Sequence, residues 1–155
     1  MKKTIELSYS EIPIEKLNDN QRILVEMAIG ALDGSHSSYS NFSVGAAVVL
    51  DNGHKFCGAN QENVSYPCST CAERSVINYA QSVFPNACIT AIAIVARKKG
   101  ASQIEDFVSP CGMCRQVLVE VERNQSVPLQ VFLVGQYKTI IFNNAKDLLP
   151  LAFEF

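Results

Sequence analysis

Two short segments carry the residue types able to do chemistry. They are Thr70-Cys71-Ala72-Glu73-Arg74 and Ser109-Pro110-Cys111-Gly112-Met113-Cys114-Arg115. Each stands where the sequence predicts the start of a helix. Unsatisfied N–H groups and the positive end of the helix dipole favour a thiolate there. Cys111 and Cys114, three residues apart, face the same way on a helix, and Cys71 adds a third sulfur. Such a set suits zinc. Four protein ligands make a zinc site structural, whereas three leave a position for water and catalysis.

Cys68 leaves that choice open. Cys68-x-x-Cys71 together with Cys111-x-x-Cys114 would form a closed four-thiolate site, a structural module able to dock a partner protein. Glu73 weighs against it. A carboxylate two residues beyond Cys71 can turn back over the helix end and move protons for a bound water, a role that a closed site lacks. Three thiolates on Zn²⁺ leave one net negative charge, which weakens the acidity of the metal. Arg74 and the two helix tips offset it by donating to sulfur. Taken singly, a first-turn glutamate usually complements the dipole, and an arginine beside it usually lies at the surface.

The rest of the chain must position these groups. Its 155 residues suit one domain spanning 1–155. A hydrophobic fraction of 48% and a charged fraction of 18% exclude a disordered chain. The net charge of -2 argues against a nucleic-acid binder, and Arg97-Lys98-Lys99 reads as a solvated turn. No apolar run approaches the ~18 residues of a membrane span, and the first residues do not read as a targeting signal. The expected compartment is the cytoplasm, where the six cysteines stay reduced.

Residues 1–17 read as an arm anchored by Ile12, Ile14 and Leu17. A helix capped by Asn18 or Asp19 runs to about Leu32, with Ile23, Leu24, Met27, Ala28 and Ala31 on its apolar face. A strand at Val44–Leu50 turns through Asp51-Asn52-Gly53 into a second at His54–Gly58. Helices follow at about Cys71–Ser82 and Gly112–Arg123, and strands at Ile89–Ala96, Leu129–Val134 and Lys138–Phe142. The order α-β-β-α-β-α-β-β predicts an α/β fold: three layers, with a mixed five-stranded sheet between helices. Cys57 and Cys88 read as small buried residues, Met27 and Met113 as packing, and His36 and His54 as surface positions.

The pairing of Cys-Ala-Glu with Pro-Cys-x-x-Cys resembles the zinc nucleoside deaminases. From about Tyr39 to Phe153 the chain is similar to the small, three-cysteine cytidine deaminases of nucleoside salvage. The resemblance implies a cytidine deaminase-like fold and zinc on Cys71, Cys111 and Cys114. It implies hydrolysis of cytidine and 2′-deoxycytidine, with Glu73 as both proton acceptor and donor. Phe42, in Tyr39-Ser40-Asn41-Phe42-Ser43, matches the aromatic residue beside the pyrimidine. Asn60 and Glu62 match the pair that holds the ribose hydroxyls, and Ala72 and Cys71 offer backbone groups to the base. Tyr66 and Phe153 match residues that reach a neighbouring subunit's site in a homotetramer. Cys68 falls where the family varies, in a loop whose geometry keeps it off the zinc.

Three rivals remain. A deaminase of a modified cytosine nucleoside such as blasticidin S is disfavoured by Asn60 and Glu62, which suit a plain ribose. A polynucleotide deaminase needs a basic channel and stacking aromatics, whereas this acidic chain lacks tryptophan. A redox dithiol at Cys111 and Cys114 leaves Cys71 and Glu73 without a role.

Overall fold

The apolar runs at 44–50 and 89–96 become the central strands of one sheet. The computed structural model describes residues 1–154. In chain order the elements are β1 (Ser10–Pro13), α1 (Asp19–Ala31), β2 (Phe42–Leu50), β3 (Lys55–Ala59), α2 (Ala72–Val83), β4 (Ile89–Lys98), α3 (Gly112–Gln125), β5 (Gln130–Val134) and β6 (Lys138–Phe142). The strands lie in the order β1-β6-β5-β4-β2-β3. Only β4 and β5 pair in parallel; the other neighbours are antiparallel.

Helices cover both faces, so β2 and β4 are apolar on both sides rather than alternating. On one face Leu24, Val25 and Ala28 of α1 pack against Ala47, Ala93, Val95 and Phe132. On the other, Val76, Ile77 and Ala80 of α2 and Leu118 of α3 pack against Val48, Ile92, Ile94 and Val131. Asn18 caps α1 in a reciprocal box. Its side chain accepts from the Gln21 amide at 3.0 Å while Gln21 accepts from the Asn18 amide at 3.1 Å. Gly45 lets α1 approach β2 closely, because a Cβ there would collide with the Ala28 carbonyl oxygen.

The connections explain where the helix tips fall. β3 and β4 both run antiparallel to β2, so they share a direction, and β5 follows it. The crossovers β3-α2-β4 and β4-α3-β5 step the same way along the sheet. Right-handed connections therefore place α2 and α3 on one face, with both N-termini at the same end of the sheet.

Several sequence expectations need correction. The sheet has six strands, not five, because Ser10–Pro13 adds to the β6 edge. That segment has no alternating pattern. It is held by its partner, through the pair Ile12 with Thr139 and a 2.7 Å salt bridge between Glu11 and Lys138. Ile23 is exposed, off the apolar face of α1. Cys57 is also exposed and Cys88 half-buried, since both sit near the sheet margin rather than in the core. Met113 projects outward, while Met27 packs on the α1 core. Arg97 and Lys98 extend β4 instead of forming a turn, and Arg97 pairs with Asp33 at 2.7 Å. No helix among the described residues is long and apolar enough to cross a membrane.

Candidate active site at two helix tips

Cys71 is the N-cap residue of α2 and Cys111 the N-cap residue of α3. Neither thiol caps its helix with a hydrogen bond, so both sulfurs are left for another partner. Cys114, in the first turn of α3, is buried. The three sulfurs lie within 4.8 Å of one another, the one such cluster of cysteine, histidine and carboxylate ligands among the described residues. Cys68 stands outside it, exposed in the 3₁₀ turn Tyr66–Cys68.

The charge arrangement suits a divalent metal. A hydrogen bond from the Cys114 thiol, aided by the Arg74 guanidinium and Cys111, lowers the Cys71 thiol to about 5. The same bond, with burial, raises Cys114. Three thiols this close cannot all ionise without a cation among them, which is the setting zinc fits. Arg74 also donates from Nη2 to the Ser69 carbonyl at 3.1 Å. Its buried Nε has no partner among the described residues. Glu73, in the first turn of α2, is only 4% exposed. Burial raises its carboxyl above the usual range, and the neighbouring Cys71 adds to that.

The residues expected to bind a sugar are tied to this centre by backbone. Gln61 and Thr70 exchange two main-chain hydrogen bonds of 2.9 Å, and Gln61 also bridges to His36. This fixes Asn60 and Glu62 one residue either side of a strand-like contact that leads into Cys71. Asn60 is more heavily engaged than its sequence revealed. Its Oδ1 accepts from Ser35 Oγ at 2.6 Å and the Val44 amide at 2.8 Å, and its Nδ2 donates to the Phe42 carbonyl at 3.0 Å. Glu62 Oε2 accepts the Tyr39 and Ser40 amides at 2.7 and 3.2 Å. The Ser40 hydroxyl and these amides hold its carboxyl below the usual carboxylate range.

Both side chains therefore fix the 36–43 loop, in which Asn41 takes a left-handed φ of 56° just before Phe42. Phe42 is half-buried and Ala72 fully buried. Tyr39, Ser40, Glu62, Tyr66 and Ser69 line a pocket of about 380 Å³. Tyr66 is 71% exposed and Phe153 68%. Sequence reasoning missed Ser35, Gln61 and Thr70, whose roles rest on hydrogen bonds that leave no motif. It also missed Arg115 and Gln116, which follow Cys114 in the chain but reach to the C-terminal segment.

Residues 18–129 match the family model described as the cytidine and deoxycytidylate deaminase zinc-binding region. The chain belongs to that family. Among its relatives in the family is the cytidine deaminase of Halalkalibacterium halodurans, 37% identical over 134 residues, 86% of this chain and 94% of the relative. The crystal structure of a cytidine deaminase from Burkholderia pseudomallei superposes with a TM-score of 0.69. It is 36% identical, over 85% of this chain and 98% of that one. The cytidine deaminase from Mycobacterium tuberculosis gives a TM-score of 0.69 at 33% identity, over 89% and 100%. The match with a zinc-binding region agrees with the three-cysteine cluster.

Proposed function

We propose that this deaminase-family chain acts as one catalytic domain that hydrolyses cytidine and 2′-deoxycytidine to uridine and 2′-deoxyuridine, releasing ammonia in pyrimidine salvage. The observation that carries the reading is the burial of Glu73 beside three clustered cysteine sulfurs. Cys71, Cys111 and Cys114 hold zinc, which when bound supplies the acidity that makes water a nucleophile near neutral pH. Glu73 accepts a proton from the attacking water and passes it to N3 of the base. It then takes the remaining proton from the C4 hydroxyl and delivers it to the amino group as the bond from C4 to that nitrogen breaks, leaving a carbonyl at C4. Water adds one oxygen at C4 and the amino group leaves as ammonia, so the carboxylate ends as it began.

Backbone groups of Cys71 and Ala72 orient the base, and Phe42 flanks the pyrimidine. Asn60 keeps one amide hydrogen, and Glu62 keeps lone pairs, beyond their loop bonds. These suit ribose hydroxyls. The single charged side chain lining the adjoining pocket is Glu62, which favours a nucleoside over a 5′-phosphorylated one. Exposed Tyr66 and Phe153 suit a homotetramer in which a second copy completes each site. Thiolate ligands suit a reducing compartment such as the cytoplasm.

The test is zinc content and loss of ultraviolet absorbance on one sample, with cytidine, 2′-deoxycytidine and blasticidin S assayed side by side. Turnover of both plain nucleosides by zinc-loaded protein is expected. A zinc-loaded protein that turns over only the antibiotic, or nothing, overturns the reading.

A further inference from the structure

Two consecutive side chains of α3 leave the metal ligands and reach for the end of the chain. Arg115 Nε donates to the Pro110 carbonyl at 2.8 Å, and its Nη2 donates to Ser109 Oγ at 2.7 Å. Both acceptors stand immediately before Cys111. The remaining nitrogen, Nη1, donates to the Leu148 carbonyl at 3.1 Å. One guanidinium thus ties the loop that carries Cys111 to the 3₁₀ turn Ala145–Leu148.

Gln116 continues the tie five residues further on. Its Nε2 donates to the Phe153 carbonyl at 2.9 Å, and its Oε1 accepts the Phe153 amide at 3.3 Å. Both backbone polar groups of Phe153 are met by one amide, as a neighbouring strand would meet them. The intervening chain needs such a hold. Leu151 adopts a left-handed φ of 58° and is 93% exposed, so neither backbone preference nor burial keeps the segment in place.

We infer that Arg115 and Gln116 form a latch that registers the C-terminal segment against the metal loop, and that Gln116 is the positioning residue for the Phe153 ring. Gln116 does not touch substrate; it acts through Phe153. The functional part of the inference rests on the reading that Phe153 completes a substrate site.

Gln116→Ala, a change favourable to helix propensity, removes both bonds. The variant should bind zinc normally, show faster hydrogen exchange at the Phe153 and Glu154 amides, and raise KM for cytidine about tenfold with little change in kcat. Gln116→Glu keeps the acceptor for the Phe153 amide but loses the donor, so its KM should fall between those of Gln116→Ala and the parent. Phe153→Ala, run in parallel, separates the two readings. An unchanged KM in Phe153→Ala removes Phe153 from the substrate site, whereas unchanged amide exchange in Gln116→Ala sinks the latch itself. Lost zinc in Gln116→Ala overturns the positioning role, since the residue then serves the metal loop directly.

Discussion

Cys71 and Cys111 occupy the same place in two different helices: each is the residue before the first helical turn, with extended backbone, and their sulfurs meet in one cluster. Glu73 and Cys114 follow from those two positions. Each sits inside the first turn of its helix and is carried toward the shared tip. Parallel strand direction brings the tips together, so the three-sulfur cluster is a product of sheet topology rather than of either motif alone.

Serine at Cys71, Cys111 or Cys114 should strip most of the zinc and abolish turnover, because two thiolates and a hydroxyl bind the ion poorly. Cys68→Ser should keep both. X-ray absorption at the zinc edge of the parent should show three sulfurs and one lighter ligand. Four sulfurs, or zinc lost from Cys68→Ser, would return the chain to the structural-module reading.

Glu73→Gln preserves shape and removes the proton-transfer group. Zinc content should stay near that of the parent while kcat drops by about 10²–10⁴-fold. Near-normal turnover in a zinc-loaded variant would remove Glu73 from the reaction.

With zinc chelated away, Cys71 should be alkylated unusually early in a pH series. Its thiol is lowered to about 5 by the Cys114 hydrogen bond and by Arg74. The thiolate fraction rises through pH 5 and is nearly complete by pH 7, whereas an unperturbed thiol rises through about 8.5. Iodoacetamide rates for the Cys71 peptide, followed by mass spectrometry from pH 4 to 9, check this. A rate still climbing steeply above pH 8 contradicts it.

The layers and most element positions could be read from the sequence, because the runs at 44–50 and 89–96 and the helix periods were strong local signals. The three cysteines that cluster could be read for a similar reason, since each lies in a short local motif. β1 could not be read, because four residues ending in proline acquire strand geometry only from β6, more than a hundred residues away. The pair proposed to hold the ribose was half legible. The polar chemistry of Asn60 and Glu62 was visible, but the load they bear in holding the 36–43 loop depends on Ser35, Phe42 and Val44 arriving beside Asn60 and on Tyr39 and Ser40 arriving beside Glu62. The Gln116 contact with Phe153 was silent for the same reason.

Glu122 is a structural carboxylate. It accepts the Leu129 and Ala145 amides at 2.8 Å each and the Lys146 amide at 3.3 Å, joining the end of α3 to the chain before β5 and after β6. Glu122→Ala strands those donors and should cost about 2–3 kcal/mol in urea unfolding. Glu122→Gln should lose less, since its carbonyl oxygen still accepts. A loss below about 0.5 kcal/mol for the alanine variant would show that water replaces the carboxylate freely.

Thr139 offers the opposite case. It is fully buried in β6, between β1 and β5, and its hydroxyl has no hydrogen-bond partner among the described residues. An unpaired buried hydroxyl is a net cost, because water is lost and nothing replaces it. Valine has nearly the same shape and suits a strand. Thr139→Val should therefore raise stability, by about 1 kcal/mol, with zinc content and KM unchanged. Urea midpoints at constant slope measure it. A destabilised Thr139→Val would mean that the hydroxyl has a partner in solution, and a buried water bridging it to the β1 or β5 backbone would then be sought by crystallography.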